Sequence, residues 1–239
     1  MKENQDVQSW YNGFSNRQIR TGVNMRHYTI MNHLIDSGLK KDSSILEIGC
    51  GIGQVTRLIH DFVQSGNIVA TDISNEGIAI AQQHIGKSER LKFVVTDMSE
   101  FSLNEKFDFI LLPDVLEHIP VEQHDSLFKI LSGLMHSDST MLIHIPHPKN
   151  IDYLRIHSPE TLQIIDQSLN ANELISKAYD SGLFLTHYNA YGLYDAEDDY
   201  VLIKFRINYA IERLQPISNN LIRWKKMKAR VQVLVKKFL

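Results

Sequence analysis

The sequence predicts an α/β fold: a mostly parallel sheet with helices on both faces and a terminal antiparallel hairpin. Three observations predict it. Apolar strand segments alternate with helical patterns from residue 44 to residue 145, the order expected of parallel strands joined by helical crossovers. The apolar strand at 44–48 runs directly into alternating glycines and then a helix, as where an open sheet binds a nucleotide-like ligand at its carboxyl edge. The last two strand segments, 183–189 and 200–206, are too close in sequence for a crossover helix, so they should pair antiparallel at the sheet edge.

The elements follow in order. Residues 17–38 read as a helix, with Ile30, Met31, Leu34 and Ile35 at helical spacing and Gly38 as its stop. After the 44–48 strand, a helix begins near Gln54 and carries Val55, Leu58, Ile59 and Phe62. A strand at 67–71 ends at Asp72, and a helix covers 75–84. Strands at 91–95 and 107–112, a helix at 122–135 and a strand at 139–145 complete the alternating part. A long connection, 146–171, contains Pro146, Pro148 and Pro159. It leaves the carboxyl end of a strand, where such sheets place ligands, and an ordered helix at 160–168 is the plainer expectation for it. A helix at 172–182 precedes the final hairpin.

At 239 residues with 43% apolar content, the chain suits one α/β domain with decoration. A single cysteine, Cys50, rules out an internal disulfide framework and fits a reducing compartment. The longest apolar runs fall short of the roughly 20 residues that span a bilayer, and the polar amino terminus lacks a leader's apolar segment, so a cytoplasmic location is expected. The net charge of −3 hides an asymmetry. Residues 221–239 hold seven basic side chains and no acid, which leaves 18 basic against 28 acidic residues, or −10, in the rest. Such an acidic body repels phosphate backbones, and nucleic acid is not the expected partner.

The cofactor signal lies in Glu47-Ile48-Gly49-Cys50-Gly51-Ile52-Gly53-Gln54. A dinucleotide fingerprint would need glycine at position 54; here the third glycine comes one residue early. No lysine follows as in a Walker loop. Asp72 closes the second strand and could accept both ribose hydroxyls of an adenosine. Asp97 closes the third strand and could accept an adenine's exocyclic amine. Either aspartate alone would read as a cap or turn residue.

With these residues in view, the chain resembles the class I S-adenosylmethionine-dependent methyltransferases of the small-molecule type. The resemblance runs over roughly residues 41–206 and implies a Rossmann-like seven-stranded sheet. It implies that Glu47, Gly49, Gly51 and Gly53 line the methionine and ribose portion of S-adenosylmethionine. Asp72 with Ile73 would bind the ribose, Asp97 with Met98 the adenine, and Pro113 would complete the cofactor side. Phe107-Asp108-Phe109-Ile110 and Asp114-Val115-Leu116-Glu117-His118-Ile119-Pro120 match the family's fourth strand and its exit loop. The motifs build the cofactor side and leave the acceptor open. The implied reaction is in-line attack by an oxygen or nitrogen of a small-molecule acceptor, such as a sugar, natural product or envelope precursor.

A hydroxyl acceptor calls for a base, and three histidines are candidates. His144 and His147 flank the exit of the fifth strand, and an imidazole there is suited to proton removal. His118 lies in a segment the family shares across acceptor types and reads rather as pocket wall. Asp114 could orient a histidine or bond the acceptor. Tyr11 and Tyr28 in the leading segment, and Tyr153 and Arg155 in the long connection, are acceptor-contact candidates. Arg20 or Arg26 could meet the methionine carboxylate or an acidic acceptor. No metal site is expected, because the fifth-strand loop offers His and Pro in place of carboxylates.

The expected organisation is a helical cap at 1–40, a methyltransferase domain at 41–206 with an acceptor-side insertion at 147–171, and a basic amphipathic helix at 207–239. Trp224, Met227, Val231, Leu234 and Phe238 form that helix's apolar stripe. Self-packing or a homodimer contact is one reading of it; peripheral contact with the inner membrane face through 221–239 is the other. Two functional alternatives stand beside small-molecule methylation. Against an RNA methyltransferase, the chain lacks the [D/N]-P-P-[Y/F] motif that amino-directed nucleic-acid enzymes of the family carry after the fourth strand, where Leu112-Pro113-Asp114-Val115 stands. A non-catalytic scaffold that binds S-adenosylmethionine would keep the same cofactor residues.

Overall fold

The structure, a computed structural model, describes residues 22–207 and 216–236. The expected Tyr11 contact, with Arg20, lies outside the described residues. The chain divides into two units, Met1–Asn208 and Tyr209–Leu239. The first contains a seven-stranded sheet of order β3-β2-β1-β4-β5-β7-β6. Its strands are β1 (Ile45–Ile48), β2 (Ile68–Asp72), β3 (Leu91–Val95), β4 (Phe107–Pro113), β5 (Met135–Pro146), β6 (Leu183–Tyr191) and β7 (Tyr200–Ile207). The helices are α1 (Met25–Asp36), α2 (Gln54–Phe62), α3 (Asn75–Ile85), α4 (His124–Gly133), α5 (Pro148–His157) and α6 (Ala171–Asp180), with α7 (Asn219–Lys236) in the second unit.

The first five strands are parallel, and β7 runs antiparallel to both β5 and β6. The expected fold therefore holds, including the closing hairpin. The central strands are buried on both faces, so they are apolar almost throughout and alternate in direction rather than polarity. Phe109 and Leu111 of β4 face α1 and α2, where they join Ile30, Leu34, Val55 and Ile59. Ile110 and Leu112 face the opposite way and join Leu127, Phe128 and Leu131 of α4 and Leu174 of α6. Helices thus cover both faces, and α1 is itself packed into one of them.

Register decides where the site falls. Ile48 pairs with Thr71, Asp72 with Val95, and Pro113 with His144. The carboxyl ends of β1 to β5 therefore open on one edge of the sheet. Two elements depart from expectation. Among the described residues, the helix expected at 17–38 begins at Met25, where Asn24 and His27 form a reciprocal capping box; residues 17–21 lie outside them. The helix expected at 160–168 is not there. The helix forms earlier, at Pro148–His157, because Pro148 starts it with a pre-set φ and the His147 side chain accepts the Lys149 N–H. Only a single 3-10 turn, Pro159–Thr161, follows.

Candidate active site

Between β1 and α2 the backbone is left-handed at Gly49 (φ 75°), Gly51 (φ 53°) and Gly53 (φ 82°). This is the region in which a side chain is strained. At Gly49 space is also closed, since a Cβ there would come 2.4 Å from Val115 Cγ2. The turn brings Gly51 N–H to Asp72 Oδ2 at 2.7 Å, while Ser74 N–H donates to Oδ1 at 2.8 Å. Burial pushes the Asp72 carboxyl upward, and these N–H donors pull it back. After β3, Asp97 Oδ1 accepts the Ser99 N–H and hydroxyl at 3.0 and 2.7 Å, and Met98 takes a positive φ of 68°.

Glu47 is wholly buried. Thr56 Oγ1 donates to its Oε2 at 2.6 Å, but Oε1 has no hydrogen-bond partner among the described residues. Burial raises its pKa to about 7; the Thr56 bond opposes this and the charge of Asp72 adds to it. A buried carboxylate with one unpaired oxygen is costly unless something cationic arrives.

A second cluster stands at the ends of β4 and β5. Asp114 sits at φ 53°, its N–H bonded to the His144 carbonyl at 2.8 Å. His144 Nδ1 donates to Asp114 Oδ1 at 2.7 Å, and the Tyr191 hydroxyl meets His144 Nε2 at 2.8 Å. Arg26 Nε lies 3.1 Å from Asp114 Oδ2, an ion pair rather than an aligned hydrogen bond. Tyr200 stacks on the His144 ring at 4.8 Å between centroids. Burial would raise the Asp114 carboxyl, but Arg26 and His144 outweigh it and hold the pKa at about 2.

His118 is the third part. Its Nδ1 is 2.6 Å from the Ile165 carbonyl, which can only accept, so Nδ1 carries the hydrogen. Asp166 Oδ1 stands 3.2 Å from the same nitrogen. Burial lowers the His118 pKa against the opposing pull of Asp166, and the ring is neutral at pH 7 with its lone pair on Nε2. Beside it Glu117 is buried, and burial together with the Asp114 charge raises its carboxyl well above the usual range.

One cavity of about 580 Å³ joins these groups. Of the expected residues, Glu47, Gly49, Gly51, Asp72, Ile73, Asp97, Met98, Pro113, Asp114 and His118 line it. Others do not reach it. Gly53 caps α2 and faces Ala81. His144 has no exposed side-chain surface and commits both ring nitrogens to Asp114 and Tyr191, so it does not line the cavity. His147 is the N-cap of α5 and lies outside the lining, because Pro148 turns the chain into a helix at that point. Tyr28 and Tyr153 are more than half exposed, and Arg155 is bound to Asp152, Ser168 and the Asp166 carbonyl. The wall also contains residues that sequence reasoning passed over: His27 and Ile30 of α1, Gln123, and Gln163, whose buried Oε1 has no hydrogen-bond partner among the described residues. No local pattern marks Gln163, since its place depends on the chain returning to the 117–121 loop.

Residues 45–137 match a family model described as a methyltransferase domain. A malonyl-[acyl-carrier protein] O-methyltransferase of Ilyobacter polytropus is 27% identical over 168 residues, 70% of this chain and 60% of that protein. The match thus spans less than two thirds of that relative's length. A methoxy mycolic acid synthase of Mycobacterium tuberculosis is 29% identical over 110 residues, 45% of this chain and 36% of that one. Among solved structures, the magnesium protoporphyrin IX methyltransferase of Synechocystis superposes with a TM-score of 0.65 at 16% identity, covering 86% of this chain and 99% of its own. The N-methyltransferase NodS of Bradyrhizobium japonicum gives 0.60 at 19% identity, over 77% and 95%. At such identities the superpositions speak for fold alone. Residues 45–137 are thus a methyltransferase domain, built on a glycine turn that feeds a sheet of this strand order, and the chain is similar to known methyltransferases over that part.

Proposed function

We propose that the protein binds S-adenosylmethionine and directs its methyl group to an oxygen or nitrogen of a small-molecule acceptor. The observation that carries this reading is the single cavity in which the glycine turn, Asp72 and Asp97 meet His118, Asp114 and Arg26. The residues fit the cofactor's chemistry. Asp72 offers a fixed carboxylate to a ribose diol, Asp97 an acceptor to an adenine amine, and the unpaired Glu47 Oε1 a partner for a cationic group. When bound, S-adenosylmethionine supplies a methyl group already activated on a sulfonium.

The chain's own task is then alignment, exclusion of water and proton removal. His118 Nε2 takes the proton from an acceptor hydroxyl, and Asp166 beside Nδ1 steadies the resulting imidazolium. Asp114, ionised at all ordinary pH values, is compensated by Arg26, so this side of the cavity suits a neutral, hydrogen-bonding acceptor rather than a highly charged one. Helix α1 and the 163–165 segment form the walls that keep water out. The O-methyltransferase among the relatives supports oxygen chemistry, and a base at His118 is needed most for a hydroxyl.

Calorimetry with S-adenosylmethionine, followed by turnover of candidate sugars and hydroxylated metabolites, tests the proposal. Asp72→Ala should weaken cofactor binding at least ~30-fold, the loss of charged hydrogen bonds worth about 2 kcal/mol or more. His118→Ala should leave that affinity within a few-fold and lower kcat by about 10²-fold or more. The wild-type rate should fall only below the ordinary histidine range, because its base has a lowered pKa. Unchanged binding in the first variant, or full turnover in the second, would reject the respective role.

A further inference from the structure

The helix of the second unit carries a chemistry of its own. Helix α7 is 18 residues long and contains Arg223, Lys225, Lys226, Lys228, Arg230 and Lys236 with no acidic side chain. Trp224, Met227, Val231, Leu234 and Val235 are each about half exposed. At about 100° per residue these five fall within an arc of roughly 100°. Arg223 and Arg230 border the arc on one side and Lys228 on the other, with the Lys228 ammonium 5.4 Å from the Trp224 ring centre. Long basic side chains flanking an apolar strip can lay their stems along hydrocarbon and raise their charges to a headgroup layer. No helix among the described residues is long and apolar enough to cross a membrane.

We infer that α7 lies along an anionic phospholipid surface, with the Trp224–Val231 strip inserted at the headgroup boundary and the flanking cations on lipid phosphates. Charge complementarity selects this occupant. The helix segment is purely basic, whereas residues 1–220 carry a balance of −10. A second copy of the same helix would bring like charges together along both borders of the strip, and the acidic remainder opposes nucleic acid. A negative bilayer attracts this basic helix.

Co-sedimentation of the full chain with vesicles of phosphatidylcholine and phosphatidylglycerol, about 7:3, tests the inference. Binding should be at least tenfold tighter than to pure phosphatidylcholine and fall at least tenfold between about 0.1 M and 0.5 M salt. The combined variant Lys225→Gln, Lys226→Gln, Lys228→Gln and Arg230→Gln should lose binding, as should Val231→Asp, with unchanged melting temperature in both. Vesicles should shift tryptophan emission to the blue, and Trp224→Phe should remove the shift. Equal binding to neutral vesicles, no binding at all, or retention by Val231→Asp overturns the inference. So does a concentration-dependent dimer, formed without lipid, that Val231→Asp dissolves.

Discussion

Glu47→Gln should stabilise the cofactor-free protein at pH 8 while impairing its binding of cofactor. The sign follows from the raised pKa. The Glu47 carboxyl titrates near 7 in the folded chain, against 4.5 for the ordinary side chain. Below about pH 4.5 it is protonated in both states, and burial carries no charge penalty. Between 4.5 and 7 the unfolded chain releases the proton and the folded chain keeps it, so stability falls as pH rises, by about 3 kcal/mol in all. Glutamine keeps an acceptor for Thr56 Oγ1 and never ionises. The variant should therefore match the wild type near pH 4.5 and melt about 6–12 °C higher at pH 8. The same substitution removes the negative charge that the cationic end of the cofactor would neutralise, so affinity for S-adenosylmethionine should drop while stability rises, as strained binding sites commonly behave. Melting curves at pH 5 and pH 8 decide the matter: a difference that does not grow with pH would mean that Glu47 is not held protonated by burial.

The half of the site that this prediction concerns was legible in the sequence, and the reason is geometric. In a parallel sheet the residues that end successive strands must lie side by side, so Glu47, Asp72 and Asp97 could be placed together from strand ends alone. The glycines added direction, because they accept without strain the left-handed turn that lifts Gly51 N–H to Asp72. The acceptor half obeys no such rule. His118 depends on a bond to Ile165, 47 residues away, and Gln163 arrives from the same returning segment. Strand alternation does put His144 and Pro146 on one face, and the strand does persist to Pro146. That face is covered by Tyr191 and Tyr200, however, and both ring nitrogens are bonded to Asp114 and Tyr191, so the histidine does not line the cavity. His147 was misleading for a different reason. A histidine before proline at a strand exit reads as a loop residue, yet proline at that position is also what begins a helix.

Asp114→Ala should be among the most damaging single substitutions in the domain, and Asp114→Asn should separate its two causes. The backbone at 114 is left-handed, a conformation that aspartate and asparagine tolerate and alanine does not, at about 1 kcal/mol. The side chain also compensates Arg26, whose guanidinium the pairing holds even more firmly protonated than usual. The pair is only partly buried, with side chains 30% and 11% exposed, so removing one partner costs about 2 kcal/mol, less than for a fully buried pair, because the other charge stays behind. Asparagine keeps the turn and an acceptor for His144 Nδ1 but abandons Arg26; alanine loses all three. Arg26→Leu alone should also destabilise, and Arg26→Leu with Asp114→Asn should cost at least about 2 kcal/mol less than the two singles added, since neither charge is then stranded. Acid denaturation supplies an independent check. The folded pKa of Asp114 is about 2, below its ordinary value of 3.8, so its stabilising share is fully present above about pH 4 and disappears as pH falls through 2. Roughly 2 kcal/mol of acid sensitivity in that window should vanish in Asp114→Asn. Strictly additive singles, or an acid limb that the asparagine variant leaves unchanged, would show that Arg26 and Asp114 are neighbours without being coupled. Coupling would mean that α1 is fastened to the cavity by this pair, so that one wall of the cavity and the Asp114 carboxylate that lines it are set by one interaction.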